Sequence, residues 1–280
     1  LKLGFTTNTF SNPLKTGELK LEDLVKGAAE NGFQAVEIRD NAANLDEDRV
    51  IGLGELGRDH GVELTYAIRN DLLAENDREL YDRGVKRAGL IGGGRLIRIL
   101  AAQGVLKEEG RKGYTGQELG VLAKRLEEYG RLAASYGVLV AVEHAREPLW
   151  GDGKTYYGIG ELIGRVKEDN VGLTFDPANA TTTKLCLAPA QAEEVYRFME
   201  EYGERIFLVH FKTTLHGEVQ PTLVDGDLDV VRIVEGLNGL GYRGVFCIEV
   251  PGEESGEGCW RRLKDSVSYL RERGLAGYFE

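Results

Sequence analysis

Four residues able to do chemistry stand at the ends of apolar runs: Glu143 in VAVEHA, Asp176 in VGLTFDPANA, His210 in FLVHFK and Glu249 in FCIEVP. Each has a structural explanation when taken alone. A carboxylate that closes a strand can cap the next helix, and an Asp-Pro step ends a strand and starts a turn. A lone histidine is ordinarily a hydrogen-bonded structural residue. Taken together, the four would crowd three carboxylates into one low-dielectric mouth, where they repel one another and shift upward in pKa unless a cation neutralises them. A divalent metal removes that conflict, so the pattern predicts one metal site built from Glu143, Asp176, His210 and Glu249. Three oxygens and one imidazole nitrogen suit Mn2+ first, with Mg2+, Co2+ and Zn2+ compatible.

The elements that must position these groups are legible as eight short apolar runs: Leu1–Thr7, Ala35–Arg39, Glu63–Ile68, Arg95–Leu100, Leu139–His144, Val171–Asp176, Ile206–Phe211 and Val245–Val250. Near-continuous hydrophobicity, as in LVAVEH and IFLVHF, fits parallel strands covered on both faces. Segments of helical period lie between them. Leu21, Leu24, Val25 and Ala28 form one stripe, and Leu119, Leu122, Leu126 and Leu132 form another. Glycines fall just before new strands, where helix C-caps are wanted. Eight alternating units predict a single (β/α)8 TIM barrel over residues 1–280, with no linker or compositional break. Gly92-Gly93-Gly94 precedes a strand, so it is a helix-to-strand turn and not a nucleotide fingerprint.

In such a barrel, chemistry collects at the C-terminal strand ends. Alternation then places Ala141 and Leu139 inward with Glu143, and Thr174 and Gly172 with Asp176. Leu208 and Ile206 go with His210, and Cys247 and Val245 with Glu249.

Composition narrows the function classes. The chain has 280 residues, 42% hydrophobic and 29% charged, as a soluble globular protein with ample core does. A net charge of -11 argues against nucleic acid as a partner. No apolar run is long enough to span a membrane, and LKLGFTTNTF reads as a strand without signal-peptide layout. Three scattered cysteines make no disulfide framework. The expectation is a cytoplasmic protein, with room on its outer helices for a homo-oligomer.

The order and spacing of GFQAVEIR, VEH, FDPAN, VHFK and DGDLDVVRIVEGLNGLGYRGVFCIEV resemble the xylose isomerase-like barrel superfamily, in particular its sugar phosphate isomerase/epimerase branch. The resemblance covers nearly the whole chain. It implies one divalent metal on Glu143, Asp176, His210 and Glu249, a small carbohydrate substrate, and Glu143 and Glu249 as acid/base catalysts on opposite faces of the sugar. Metal on the carbonyl and adjacent hydroxyl would stabilise an enediolate, and two opposed carboxylates would move the proton. Two positions depart from the epimerase pattern. Asn179 stands where many of these enzymes have a substrate-binding histidine, and His216 where they have an arginine.

Further substrate contacts are read from individual residues. Glu37 either faces the site or pairs with Arg98. Lys212 either holds an anionic substrate group or bridges to a neighbouring acid, and Arg69 is a comparable candidate for a phosphate or carboxylate. Trp150, in the loop REPLWGDGKTYY, would form a lid or an apolar wall against the sugar, or serve packing or a subunit contact. His144 would point away from the axis. The competing readings are a metal-dependent dehydratase of a cyclic keto acid on the same fold and a non-catalytic sugar-binding barrel. A multi-metal DNA-repair endonuclease is disfavoured by only four histidines and the negative charge.

Overall fold

A computed structural model describes residues 1–40, 45–74, 77–182 and 184–279. Eight parallel strands, alternating with helices, close into a barrel. In chain order they are β1 (Lys2–Thr6), β2 (Ala35–Arg39), β3 (Glu63–Ala67), β4 (Leu96–Leu100), β5 (Leu139–Glu143), β6 (Val171–Phe175), β7 (Ile206–Phe211) and β8 (Val245–Ile248). Each strand pairs with its sequence neighbours, and β1 closes the ring on β8 from Lys2 opposite Val245 to Phe5 opposite Ile248. The predicted runs and the observed strands agree to within one or two residues at each end. Asp176 and Glu249 fall just beyond the ends of their strands, while Glu143 and His210 lie within theirs.

The helices form where the apolar stripes predicted them. Leu21, Leu24, Val25 and Ala28 are buried on the helix Leu21–Glu30. Leu119, Leu122 and Leu126 are buried on Gly116–Ser135, whose start is closed by a reciprocal Thr115–Glu118 capping box. Gly32, Gly61, Gly137 and Gly241 adopt positive φ just past helix ends, the left-handed position that stops a helix and releases the next strand. Among the described residues, no helix is long and apolar enough to cross a membrane.

Apolar side chains divide into two bodies. The larger lies between strands and helices, and a small inner cluster of Ala35, Leu96, Ala141, Leu208, Val245 and Cys247 fills the barrel axis. The inner set contains four of the residues that alternation predicted there: Ala141, Leu208, Val245 and Cys247.

Ile206 corrects the prediction. The β6–β7 register runs from Leu173 opposite Ile206 to Thr174 opposite Leu208, so Phe207 is an extra residue in the ladder. That bulge breaks the two-residue period. Ile206 joins the outer core, while the half-buried Phe207 packs on the inner cluster. Gly172 makes room for it, because a Cβ there would lie 2.7 Å from the Phe207 ring and 2.3 Å from the Arg205 carbonyl oxygen.

Candidate metal centre

At the C-terminal end of the barrel, Glu143, Asp176, His210 and Glu249 each present a ligand atom within 4.8 Å of the others, and all four residues are buried. Ligands about 2.1 Å from one cation lie at most about 4.2 Å apart, so a slight contraction of the cluster would suffice to hold a metal. The donor set fits a divalent cation of hard to intermediate character.

Asp176 divides its two oxygens between two tasks. Oδ1 accepts the Asn179 backbone N–H at 3.0 Å and caps the short helix Pro177–Thr181. Oδ2 accepts from the Lys212 ammonium. The turn-closing and site-facing readings of this residue therefore hold together.

His210 is oriented from behind. Its Nε2 lies 2.8 Å from Glu37 Oε2, which leaves Nδ1 facing Glu143 Oε1 at 3.2 Å and Glu249 Oε2 at 3.7 Å. A carboxylate on the far ring nitrogen fixes tautomer and ring angle for a metal-binding imidazole. Glu37 thus supports the ligand and lies outside the cavity lining, and Arg98 approaches it at 3.8 Å.

Positive charge is threaded through the carboxylates. Lys212 bridges Asp176 and Glu249, the latter at 2.8 Å. Arg39 bonds Glu249 Oε1 and, at 3.2 Å, Glu37 Oε1. Arg98 donates to the Ile68 carbonyl at 3.1 Å and lies 3.4 Å from Glu143 Oε2.

These neighbours set the ionisation states. Burial disfavours the Glu143 and Glu249 anions, yet Arg98 and His210 hold Glu143 well below the usual carboxylate range. Lys212 and Arg39 hold Glu249 down to about 2. Burial, with Glu249 and Glu143 nearby, pushes Asp176 up to about 6 against the pull of Lys212. Burial would lower the His210 imidazole, but Glu37, Glu143 and Glu249 outweigh it and raise it to about 10. Without a metal, His210 and Lys212 supply the cations that three converging carboxylates require.

A cavity of about 470 Å³ opens over this cluster. Glu143, Glu249, Asn179, Lys212 and Arg69 line it, together with Arg39 and Arg98. Asn179 uses its amide within the rim, donating to Glu143 Oε1 at 3.3 Å and to the His144 carbonyl at 3.1 Å. His144 points outward, lying 6.5 Å from the Phe198 ring, and its Nε2 accepts the Asp176 N–H at 3.3 Å.

Besides Glu37, two predicted substrate contacts lie outside the cavity lining, His216 and Trp150. His216 occupies the turn of a two-residue-stranded hairpin, Thr214–Leu215 with Glu218–Val219, at φ 54 beside Gly217 at φ 74. Positive φ at both turn residues suits a tight hairpin, and the His216 backbone N–H is taken by Asp227 at 2.8 Å. Trp150 packs edge-on to Phe198 at 5.1 Å with the Arg197 guanidinium over its ring. These are packing contacts against the helix Ala192–Tyr202. Buried Glu147 accepts the Ala102, Ala145 and Arg146 N–H groups, and Asp152 accepts three more from Lys154, Thr155 and Tyr156.

Arg39 was missed by the sequence reading. The signal was present, because AVEIR also ends a strand in a charged residue.

The chain matches the family model of xylose isomerase-like TIM barrels over residues 25–273. No curated protein sequence matches it. Among solved structures it is similar to a sugar phosphate isomerase/epimerase from Parabacteroides distasonis, at 14% identity and TM-score 0.70, covering 100% of this chain and 96% of that one. It is similar to an L-ribulose 3-epimerase at 16% identity and TM-score 0.74, over 99% and 95% of the two chains. A D-psicose 3-epimerase from Clostridium cellulolyticum H10, determined with D-tagatose, aligns at 15% identity and TM-score 0.66 over 100% and 96%. At these identities the structural likeness establishes the fold, and the family model establishes descent: the chain belongs to the xylose isomerase-like TIM barrel family.

Proposed function

We propose that the protein is a divalent-metal-dependent isomerase or epimerase acting on a sugar, sugar phosphate or related keto-sugar. The observation that carries this reading is the convergence of Glu143, Asp176, His210 and Glu249 within 4.8 Å beneath an open cavity. The same four residues would hold the metal, with Mn2+ the best match to the donor set. When bound, such an ion polarises a substrate carbonyl and stabilises the negative charge that develops on its oxygens.

Proton movement falls to Glu143 and Glu249. Glu143 ends β5 and Glu249 directly follows β8, with β6 and β7 between them around the rim, so they approach a ligand from different sides. Arg98 and His210 beside Glu143, and Lys212 and Arg39 beside Glu249, favour the ionised carboxylates, ready to accept a proton from a carbon next to a carbonyl. Removal by one and return by the other on the opposite face gives epimerisation, whereas transfer between neighbouring carbons gives isomerisation. Arg39, Arg98 and Asn179 restrict how each carboxylate turns, which keeps the reacting atoms in register. Lys212 bonds Asp176 and Glu249 and lines the cavity beside them.

Elemental mass spectrometry of the purified protein, alongside folded Asp176→Ala and His210→Ala variants, tests the metal site. About one metal per chain, lost in both variants, is expected. Ketoses and their phosphates incubated with the loaded protein in D2O should then acquire deuterium beside the carbonyl. Absence of metal after incubation with Mn2+, Co2+ or Zn2+ overturns the proposal, as does metal without any solvent exchange across those substrates.

A further inference from the structure

Four cationic side chains line the cavity, and three of them are committed to carboxylates: Arg39 to Glu249, Arg98 to Glu143, and Lys212 to Asp176 and Glu249. Arg69 differs. Among the described residues its guanidinium has no ion pair or hydrogen-bond partner, and it is exposed at the cavity wall.

The loop that carries it is held residue by residue. The Ile68 N–H donates to the Arg98 carbonyl at 3.1 Å, and Arg98 donates back to the Ile68 carbonyl at 3.1 Å. Buried Asn70 exchanges hydrogen bonds with Leu100, donating to its carbonyl at 3.1 Å and accepting its N–H at 2.8 Å, and also donates to Asp77 at 2.9 Å. The Asp71 carboxylate accepts the Gly104 N–H at 2.7 Å, and the Leu72 N–H reaches the Ala101 carbonyl at 2.6 Å. The backbone on both sides of Arg69 is therefore tied to strand β4 and to residues 101–104 beyond it, while its own side chain is left to the cavity. A guanidinium presented on a fixed support, with no acid paired to it among the described residues, is suited to bidentate capture of a carboxylate or phosphate.

We infer that the substrate of this site is an anionic carbohydrate, bearing a carboxylate or phosphate group that Arg69 binds. The inference rests on the isomerase/epimerase reading for the identity of the rest of the ligand, but its test does not need turnover. The probes are D-fructose, D-fructuronate and D-fructose 6-phosphate, which carry a hydroxyl, a carboxylate and a phosphate at the same carbon. Isothermal titration calorimetry of each against the Mn2+-loaded protein, and against Arg69→Ala and Arg69→Lys, reads the preference directly.

At least one of the two anions should bind about tenfold or more tighter than fructose, since a charge-assisted bond is strong enough for that margin. Arg69→Ala should bring it down to the affinity of fructose, Arg69→Lys should restore part of it, and Mn2+ stoichiometry should stay unchanged in both variants. Preference for the uronate or for the phosphate identifies which group is recognised. The inference is overturned if neither anion outcompetes fructose, or if Arg69→Ala keeps the preference intact. Anion binding without deuterium exchange would instead remove the catalytic reading and leave the ligand class standing. Exchange into fructose with no anion preference would do the reverse.

Discussion

Glu37 Oε2 lies 2.8 Å from His210 Nε2, and this contact turns the opposite nitrogen of the ring toward the converging carboxylates. Both side chains are fully buried, so the imidazole has no solvent-facing alternative. The second strand thereby reaches across the barrel to orient a group supplied by the seventh.

The first prediction concerns that contact. Glu37→Gln keeps the shape but removes the charge and weakens the hold on the ring. Loss of such an outer partner costs about 10- to 100-fold in metal affinity. Competition with a fluorescent chelator measures it, and an affinity within twofold of wild type would rule out the orienting role.

Lys212 sits between Asp176 and Glu249, where an incoming cation must overcome its charge. Opposing like charges a few ångströms apart cost several kcal/mol even at an effective dielectric near 20. Lys212→Met should therefore bind Mn2+ about tenfold or more tightly than wild type, while anionic ligands bind more weakly. Weaker Mn2+ binding in this variant would mean that the ammonium organises the ligands and does not compete with the ion.

Metal binding should release a proton. The metal-free imidazole of His210 is raised to about 10, so it is charged at neutral pH and must lose a proton to become a ligand. Apparent affinity should rise about tenfold per pH unit between roughly pH 6 and 10, and more steeply below, where Asp176 at about 6 is also protonated. An indicator dye in weak buffer counts the protons, and a pH-independent affinity would contradict the assignment.

The linked effect on folding has a definite sign. The folded imidazole holds its proton more tightly than the unfolded one, whose value is near 6.5. Its contribution is complete below that value and is lost as pH climbs toward about 10. Thermal unfolding of the metal-free protein should show a falling Tm across that window, and His210→Asn should flatten the slope.

Gly172 provides a purely structural test. A methyl group there would meet the Arg205 carbonyl at 2.3 Å and the Phe207 ring at 2.7 Å, both inside the bulged β6–β7 pairing. Overpacking of this kind costs about 1–3 kcal/mol, so Gly172→Ala should lower the urea midpoint accordingly. An unchanged midpoint would mean that the bulge relaxes without cost.

Much of the architecture was legible in the chain because parallel strands buried on both faces leave an unmistakable pattern, continuous apolar runs ended by polar residues. LVAVEH, IFLVHF and VFCIEV show both the strands and the ends that matter. The four candidate ligands followed from residue type together with barrel topology, since every strand of a barrel delivers its tip to the same rim. Inward and outward faces were legible only while the two-residue period lasted. At Phe207 it broke, because a bulge depends on the register of the neighbouring strand, which no local pattern records.

Residue types and spacing by themselves determined the eight strands, the helical stripes and the candidate ligand set of Glu143, Asp176, His210 and Glu249. These depend on period and order along the chain. Only the tertiary structure decided that Glu37 supports His210, that Arg39 and Lys212 hold Glu249, and that Arg69 lines the cavity wall without a partner among the described residues. It also put His216 in a hairpin turn and Trp150 against a helix. The reason is physical: long charged and aromatic side chains can reach several partners, and which one they reach is settled by elements distant in sequence that close around them.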